Sequence, residues 1–401
     1  MSKNINISNV DKKYGGVSIL LFVLYPLLSI FVFIKNTKSK VFSNLLWLLS
    51  GYFGYTMYVN DPIYDPYRYK YFFLDSLSFR GDFFEFINYR AIQGDLDVYL
   101  AIVSYFSAIF SKDYHFFFCV LGLIFGYFYS RNVHLVLRYT NNVSGQVIIY
   151  IGAILVLKSF WFLFGARFWT AAHIFILIVL IYFLKRKLNY WLICILPIVH
   201  VSMLLPLLVF VSYIVIIHKF KLQKTYLLVI FILSILMSGL IGDLAIKMVG
   251  FLPPEIGGRL DFYNSSEYRS FKDGNKLSIF SIVFIWCGKF YFLLSTFIIY
   301  RNWKVISTLK YSYFALFLLY FAAIASLISS IPILDRFWHI VFFLLVIFNL
   351  IVFTNLKDFK HKFLFNSLTI LLLLVCIQNI YEYHVFFGRN FFLPLIFNLF
   401  D

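Results

Sequence analysis

Residues 167–202 read RFWTAAHIFILIVLIYFLKRKLNYWLICILPIVHVS, which is an arginine, an apolar helical run, a basic cluster and a histidine–serine step. The run from Phe168 to Leu184 is long enough to reach across a bilayer. Charged groups at membrane depth normally face a cavity or a partner rather than lipid. Arg167, His200 and Ser202 are therefore the first candidates for a polar site in a membrane protein.

Composition sets the fold class. The chain of 401 residues is 62% hydrophobic and 22% aromatic, with a mean hydropathy of +0.85. Apolar runs of about 18 to 24 residues recur along it, and each can span about 30 Å of hydrocarbon. The runs are continuously apolar rather than alternating, which excludes an outer-membrane barrel. We expect an all-α polytopic membrane protein forming a single membrane domain over residues 1–401.

Ten runs are predicted to be full crossings. The first is expected to be a retained helix, because no small-residue cleavage site follows a short apolar region. The predicted spans are Val17–Ile34, Val41–Tyr58, His115–Tyr129, Gln146–Phe164, Phe168–Leu184, Thr225–Ile241, Leu277–Tyr300, Tyr311–Ile331, Phe337–Thr354 and Phe363–Ile380.

Two further apolar segments do not fit a simple crossing. Val98–Phe110 is too short to cross and is predicted to be re-entrant or interfacial. Residues 190–217 carry Pro197 and Pro206 on either side of His200. Proline breaks a helix interior, so we predict a hairpin of two half-helices meeting at His200.

The charges predict the topology. The proposed cytoplasmic connectors hold 17 lysines and arginines and one acid, Asp358, as the positive-inside rule requires. Polar loops at 59–97 and 250–276 then lie outside, together with both termini. The net charge of +17 is therefore explained mostly by the basic residues of the predicted cytoplasmic connectors. Nucleic acid is accordingly excluded as a partner.

The unusual polar residues all fall on the outer face of this topology. Arginine binds phosphate oxygens bidentately and keeps its charge under partial burial. Four arginines from four segments indicate a polyanion site, with a pyrophosphate near the lipid headgroups as the natural ligand. The candidates are Asp61, Asp65, Arg68, Tyr69, Arg167, His200, Ser202, Arg259, Tyr263 and Arg336.

Each candidate also has a plain structural interpretation. Arg68 could be a solvated ion-pairing residue, and Arg259 a surface charge. Arg167 and Arg336 could be snorkelling anchors at helix ends. His200 could be a satisfied helix-end histidine, whereas for nearby His173 the packed polar interpretation is favoured.

Lys289 lies in the middle of its predicted span, where an ammonium group requires a partner or a cavity. The four cysteines lie inside apolar segments without metal-ligand spacing. The chain contains no Walker loop, dinucleotide fingerprint or metal-ligand cluster. No cofactor and no metal are therefore expected.

Assembled in order, these residues resemble the EpsG-like branch of the Wzy-type O-antigen and capsule polymerases. The chain is similar to that family at Asp65 to Arg68-Tyr69 after the second span, and at Arg167 with Ala171. It is also similar at His200-x-Ser202, at Arg259 to Tyr263, and at Arg336 opening a late span.

The resemblance implies a GT-C-like glycosyltransferase of about 10 to 12 helices at the periplasmic face of the bacterial inner membrane. The growing glycan on undecaprenyl pyrophosphate would be the donor. A sugar hydroxyl of one lipid-linked repeat unit would be the acceptor. Membrane lipid and a chain-length regulator are the other candidate partners.

The resemblance also implies roles for the candidate residues. The general base would be His200, Asp65 or Asp61. Arg167 and Arg336 would bind the donor pyrophosphate, and Arg68 and Arg259 the pyrophosphate or the acceptor glycan. Tyr69, Tyr263, Ser202 and Lys289 complete the expected substrate-binding set.

Two other functions stay open. An O-antigen ligase shares the lipid donor but usually carries one dominant late outer loop, whereas here the early loop is larger. A flippase for the same lipid-linked sugar needs cavity charges reachable from both sides, whereas the polar residues here favour one face.

Overall fold

The computed structural model describes residues 7–33, 37–59, 62, 64–93, 98–140, 145–220, 224–248, 279–309, 311–329, 331, 334–355 and 362–393. These residues form helices joined by short turns, and no strand occurs among them. The predicted all-α fold class is confirmed.

Seventeen α-helices lie in the described part of the chain. The first nine are α1 (Ile7–Leu24), α2 (Pro26–Phe33), α3 (Lys40–Thr56), α4 (Asp65–Ser78), α5 (Phe83–Ile92), α6 (Val98–Phe110), α7 (Tyr114–Arg138), α8 (Gly145–Leu157) and α9 (Ala166–Lys185). The others are α10 (Tyr190–Val199), α11 (Leu204–Phe220), α12 (Lys224–Met248), α13 (Ile279–Arg301), α14 (Trp303–Thr308), α15 (Ser312–Ile328), α16 (Arg336–Asn355) and α17 (Lys362–Tyr383). Short 3₁₀ turns cover Phe160–Gly165, Val201–Met203, His384–Phe386 and Arg389–Phe392.

Four helical stretches of the described residues are long and apolar enough to cross a membrane. They are Tyr114–Arg138, Val147–Lys185, Arg336–Thr354 and Leu364–Glu382. The second of these is 39 residues long and is interrupted between α8 and α9. The transmembrane character expected from composition is supported by these four stretches.

The chain divides into two compact units. The first unit comprises residues 1–139, 158–203 and 380–401, and the second comprises 140–157 and 204–379. In the first unit α7 packs against both α3 and α9, while α4 and α5 pack on α6. In the second unit α15 packs against α11, α12 and α16, and α16 also contacts α8 and α13.

The contact between α3 and α7 is a close approach of two backbones. A Cβ added at Gly54 would lie 2.1 Å from the Phe118 carbonyl oxygen, and one at Gly122 would lie 2.3 Å from the Ser50 carbonyl oxygen. Glycine allows membrane helices to approach this closely, and van der Waals packing then holds them together. The Trp47 indole N–H of α3 also joins the two helices, because it donates a hydrogen bond to a backbone carbonyl oxygen of α7 at 2.8 Å.

An aromatic segment after α17 packs on the end of α3. Phe387 and Phe391 contact Phe53 with ring centroids 5.4 Å apart in each pair. A Cβ at Gly388 would lie 2.1 Å from the Thr56 carbonyl oxygen, so only glycine fits there. This segment therefore closes the first unit over the end of α3.

A buried polar network joins three helices of the second unit. The Asn349 amide of α16 donates to the Tyr291 hydroxyl at 2.8 Å and to the Ser295 hydroxyl at 2.9 Å on α13. Tyr291 reaches Tyr150 of α8, with 3.5 Å between the hydroxyl oxygens. All four side chains are buried, so these bonds contribute to helix association where no water competes.

Two predicted spans are wrong in detail. Gln146–Phe164 is not one helix, since α8 ends at Leu157 and a 3₁₀ turn follows. Val17–Ile34 is divided between α1 and α2, because Pro26 has no N–H to continue the helical bonding. In both cases the helix is interrupted inside a continuous apolar run.

The polar segment 59–97, predicted as an external loop, contains α4 and α5. Helix α4 begins with Asp65-Pro66, an acidic residue followed by proline in the first turn. Helix α5 begins with a capping box in which Asp82 and Glu85 each accept from the other's backbone N–H. These first-turn and capping residues stabilise helices in a segment that has no continuous apolar run.

The interruption at His200 is present as expected. Helix α10 ends at Val199, His200 is extended (φ −158°, ψ 116°), and α11 begins at Leu204. Pro197 is accommodated inside α10 and Pro206 in the first turn of α11. The hairpin arrangement of the two helices stays a prediction, as does the re-entrant character of α6.

Substitution in the glycine contact tests the packing of the first unit. Gly54→Ala and Gly122→Ala force the α3 and α7 backbones apart, and we expect each to lower the free energy of unfolding by about 1–3 kcal/mol. Thermal unfolding of the detergent-purified protein measures the loss. Gly152→Ala is the matched control, because a Cβ there meets no atom within 4 Å. Equal melting temperatures for all three variants would contradict the close approach.

Candidate functional site

The site begins at the interruption of the helix between α8 and α9. The carbonyl oxygen of Lys158 accepts a hydrogen bond from His173 Nε2 at 2.9 Å. The Asn132 amide of α7 donates to the His173 carbonyl at 2.8 Å and faces its Nδ1 at 3.3 Å. His173 is fully buried, and both of its ring nitrogens have partners. Its interpretation as a packed polar residue is confirmed.

Lys158 is the residue that sequence reasoning missed. Its side chain is only 5% exposed, and its ammonium lies 3.9 Å from the Phe162 ring centroid and 4.3 Å from that of Trp169. Aromatic faces attract a desolvated cation, which makes such burial tolerable. A lysine inside a predicted apolar span was the available signal for the break.

Arg167 occupies the second position of α9. The first turn of this 20-residue helix contains no acidic residue, so the guanidinium adds to the positive end of the helix dipole. Its Cζ lies 5.7 Å from the ring centroid of Tyr69 of α4, a side chain only 4% exposed. The fold thus brings two predicted site residues together from distant parts of the sequence.

His200 and Ser202 lie beside the same turn of α9. The His200 ring meets Phe168, the residue after Arg167, edge to face at 5.7 Å between centroids. The Ser202 backbone N–H lies 3.2 Å from His200 Nδ1, and Ser202 Oγ lies 2.7 Å from it. A backbone N–H can only donate, so Nδ1 is the acceptor and the ring proton of neutral His200 resides on Nε2.

Asp65 and Arg68 form an exposed pair at the start of α4. Their charged atoms are 3.9 Å apart, and the side chains are 47% and 71% exposed. Surface ion pairs of this kind contribute little stability. The contact of Arg68 therefore agrees with its interpretation as a solvated ion-pairing residue. Its exposed guanidinium is also accessible to a solute.

The remaining candidates belong to the second unit or fall outside the described residues. Arg336 begins α16 in the second unit. Lys289 lies on an exposed face of α13, and its partner is the Trp286 ring on the same helix at 4.5 Å. Asp61, Arg259 and Tyr263 fall outside the described residues. Within the described ranges no three potential metal ligands come together.

Comparisons with known proteins assign no family to this chain. No protein family matches it, and neither curated proteins nor solved structures show significant similarity.

The tautomer of His200 is directly measurable. We expect nitrogen NMR of the protein with labelled histidine to show the neutral His200 ring protonated at Nε2, because two donors from Ser202 face Nδ1. Comparison with a His200→Gln sample assigns the signal. Ser202→Ala retains the backbone donor, so the same tautomer is expected with an altered Nδ1 shift. Protonation at Nδ1 in the neutral wild-type ring would contradict this geometry.

Proposed function

We propose that this chain is a membrane glycosyltransferase that polymerises undecaprenyl-pyrophosphate-linked oligosaccharide repeat units into O-antigen or capsular polysaccharide. One observation carries the proposal. Arg167 lies at the positive end of α9, faces Tyr69, and is next to the residue that contacts His200. A fixed positive centre and a proton acceptor are therefore both associated with the first turn of α9.

The pyrophosphate assignment follows from charge. When the anomeric C–O bond of the donor breaks, negative charge develops on the leaving undecaprenyl pyrophosphate. A guanidinium fixed in a water-poor site stabilises that charge, and a helix N-terminus adds to the effect. Arginine matches two phosphate oxygens at once, which lysine cannot do.

The acceptor hydroxyl must lose its proton while it attacks the anomeric carbon. The basic lone pair of neutral His200 is on Nδ1, where Ser202 Oγ already lies at 2.7 Å. We assign Ser202 as a relay that takes the proton from the sugar hydroxyl and passes its own to His200 Nδ1. The new glycosidic bond forms, the bond to pyrophosphate breaks, and the proton ends on His200.

The finer architecture belongs to the same proposal. It consists of a GT-C-like arrangement with ten crossings and two short elements, in the bacterial inner membrane. The site would face the periplasm, the side on which the positive-inside rule predicts the start of α9. The roles of Asp61, Asp65, Arg68, Arg259, Arg336, Tyr263 and Lys289 stay sequence-based predictions.

The first test is an assay of the purified protein with the lipid-linked repeat unit of its own host. Products are resolved by glycan length. We expect a ladder of products without added nucleotide. An unextended substrate despite proven binding would exclude polymerisation. It would favour a ligase, which transfers the glycan to another acceptor, or a flippase, which moves the lipid across the membrane.

Arg167 variants test the site itself. We expect Arg167→Ala to lower the polymerisation rate by about 100-fold, the usual effect of removing one transition-state charge partner. Arg167→Lys should recover part of the rate, because it keeps the charge but loses the bidentate fork. Lys187→Ala is the control, a cation exposed beyond the other end of α9. Wild-type rates in both Arg167 variants would contradict the assignment.

A further inference from the structure

Two buried hydroxyls lie near the start of α9. Tyr99 of α6 is 6% exposed and Thr170 of α9 is fully buried. The Tyr99 phenol faces the Thr170 side chain closely enough for the two to interact. Nevertheless, neither oxygen makes a hydrogen bond of normal geometry within the described part of the chain.

Such hydroxyls are unfavourable for the fold alone. A buried polar group without a good partner loses its hydration and gains no hydrogen bond in return. Phenylalanine and valine would fill nearly the same volumes without that loss. The protein contacts of the described residues therefore do not account for the presence of these two oxygens.

Their position connects them to the Arg167 turn. Thr170 follows Arg167 by three residues, which places both on one face of α9. Tyr69, the ring under the Arg167 guanidinium, is also close enough to act electrostatically on Tyr99. Side chains from α4, α6 and α9 thus lie in one neighbourhood, which contains the Arg167 guanidinium and the hydroxyls of Tyr69, Tyr99 and Thr170.

We propose that Tyr99 and Thr170 are ligand-binding residues whose hydroxyls donate to phosphate oxygens of the lipid pyrophosphate held by Arg167. This inference rests on the proposed function and deepens it. A pyrophosphate has more acceptor sites than one guanidinium can fill, and neutral donors fill them without adding further buried charge. The pair would fix the orientation of the leaving group relative to His200.

Removal of single oxygens tests the inference. Binding of undecaprenyl pyrophosphate to the protein in nanodiscs is measured by ligand-dependent thermal shift, with undecaprenol as the uncharged comparison. We expect Tyr99→Phe and Thr170→Val each to raise the dissociation constant about 10-fold, which corresponds to about 1.4 kcal/mol. The ligand-free melting temperature should stay unchanged or rise, because an unfavourable buried oxygen has been removed.

Two controls accompany these variants. Ser107→Ala removes another buried hydroxyl of α6 that lacks a hydrogen-bond partner among the described residues, two turns away from Tyr99. It should leave the dissociation constant unchanged. Thr170→Ser keeps the hydroxyl and should bind within about twofold of wild type.

The outcomes separate this inference from the proposed function. If the wild-type protein binds undecaprenyl pyrophosphate no better than undecaprenol, the proposed function fails at its site and the inference fails with it. If the wild-type protein binds and polymerises, but Tyr99→Phe and Thr170→Val bind equally well, only the inference is overturned. A lower ligand-free melting temperature with unchanged binding would identify both hydroxyls as structural and would also overturn it.

Discussion

The hydrogen bond from His173 to the Lys158 carbonyl is the interaction on which the site depends. A helix that ends at membrane depth leaves carbonyl groups without partners, and no water is present to satisfy them. His173 supplies the missing donor from α9, and Asn132 of α7 holds the histidine in place. The chain can therefore stop one helix after Leu157 and start another at Ala166.

That restart creates the functional geometry. A helix beginning inside an apolar run presents its positive end at a place where an unbroken helix would present only side chains. Arg167 lies in that first turn, Phe168 carries the contact to His200, and Trp169 covers the Lys158 ammonium. Three consecutive side chains thus contact the ring of Tyr69, the ring of His200 and the Lys158 ammonium, and the first two of these contacts belong to the proposed anion site and proton acceptor. A transferase that releases a pyrophosphate needs an anion site and a proton acceptor close together.

Most helices were predictable because a long apolar run has one stable solution in a membrane. The break at His200 was also predictable, since two prolines flanked it. The break at Lys158 was not, because the average hydropathy over a span conceals one lysine, and the residues that stabilise the break are distant in sequence. Helices α4 and α5 were missed for the opposite reason, since capping and local charge form them without an apolar run.

The same division applies to the site. Arg167 and His200 were candidates from the sequence because arginine and histidine are unusual beside apolar helices, and Tyr69 and Ser202 were candidates as neighbours of Arg68 and His200. The proposed roles of Tyr99 and Thr170 were not predictable, since a tyrosine or threonine in an apolar helix is ordinary until the fold brings its hydroxyl close to another. The tautomer of His200 likewise depends on backbone geometry, which no residue pattern specifies.

A structure of the protein in nanodiscs with undecaprenyl pyrophosphate bound, determined by electron cryo-microscopy, would show whether Arg167 holds the pyrophosphate. We expect pyrophosphate density at the start of α9, with its oxygens within hydrogen-bond distance of the Arg167 guanidinium. Density for the pyrophosphate away from Arg167, with that guanidinium engaged only by protein groups, would contradict this expectation.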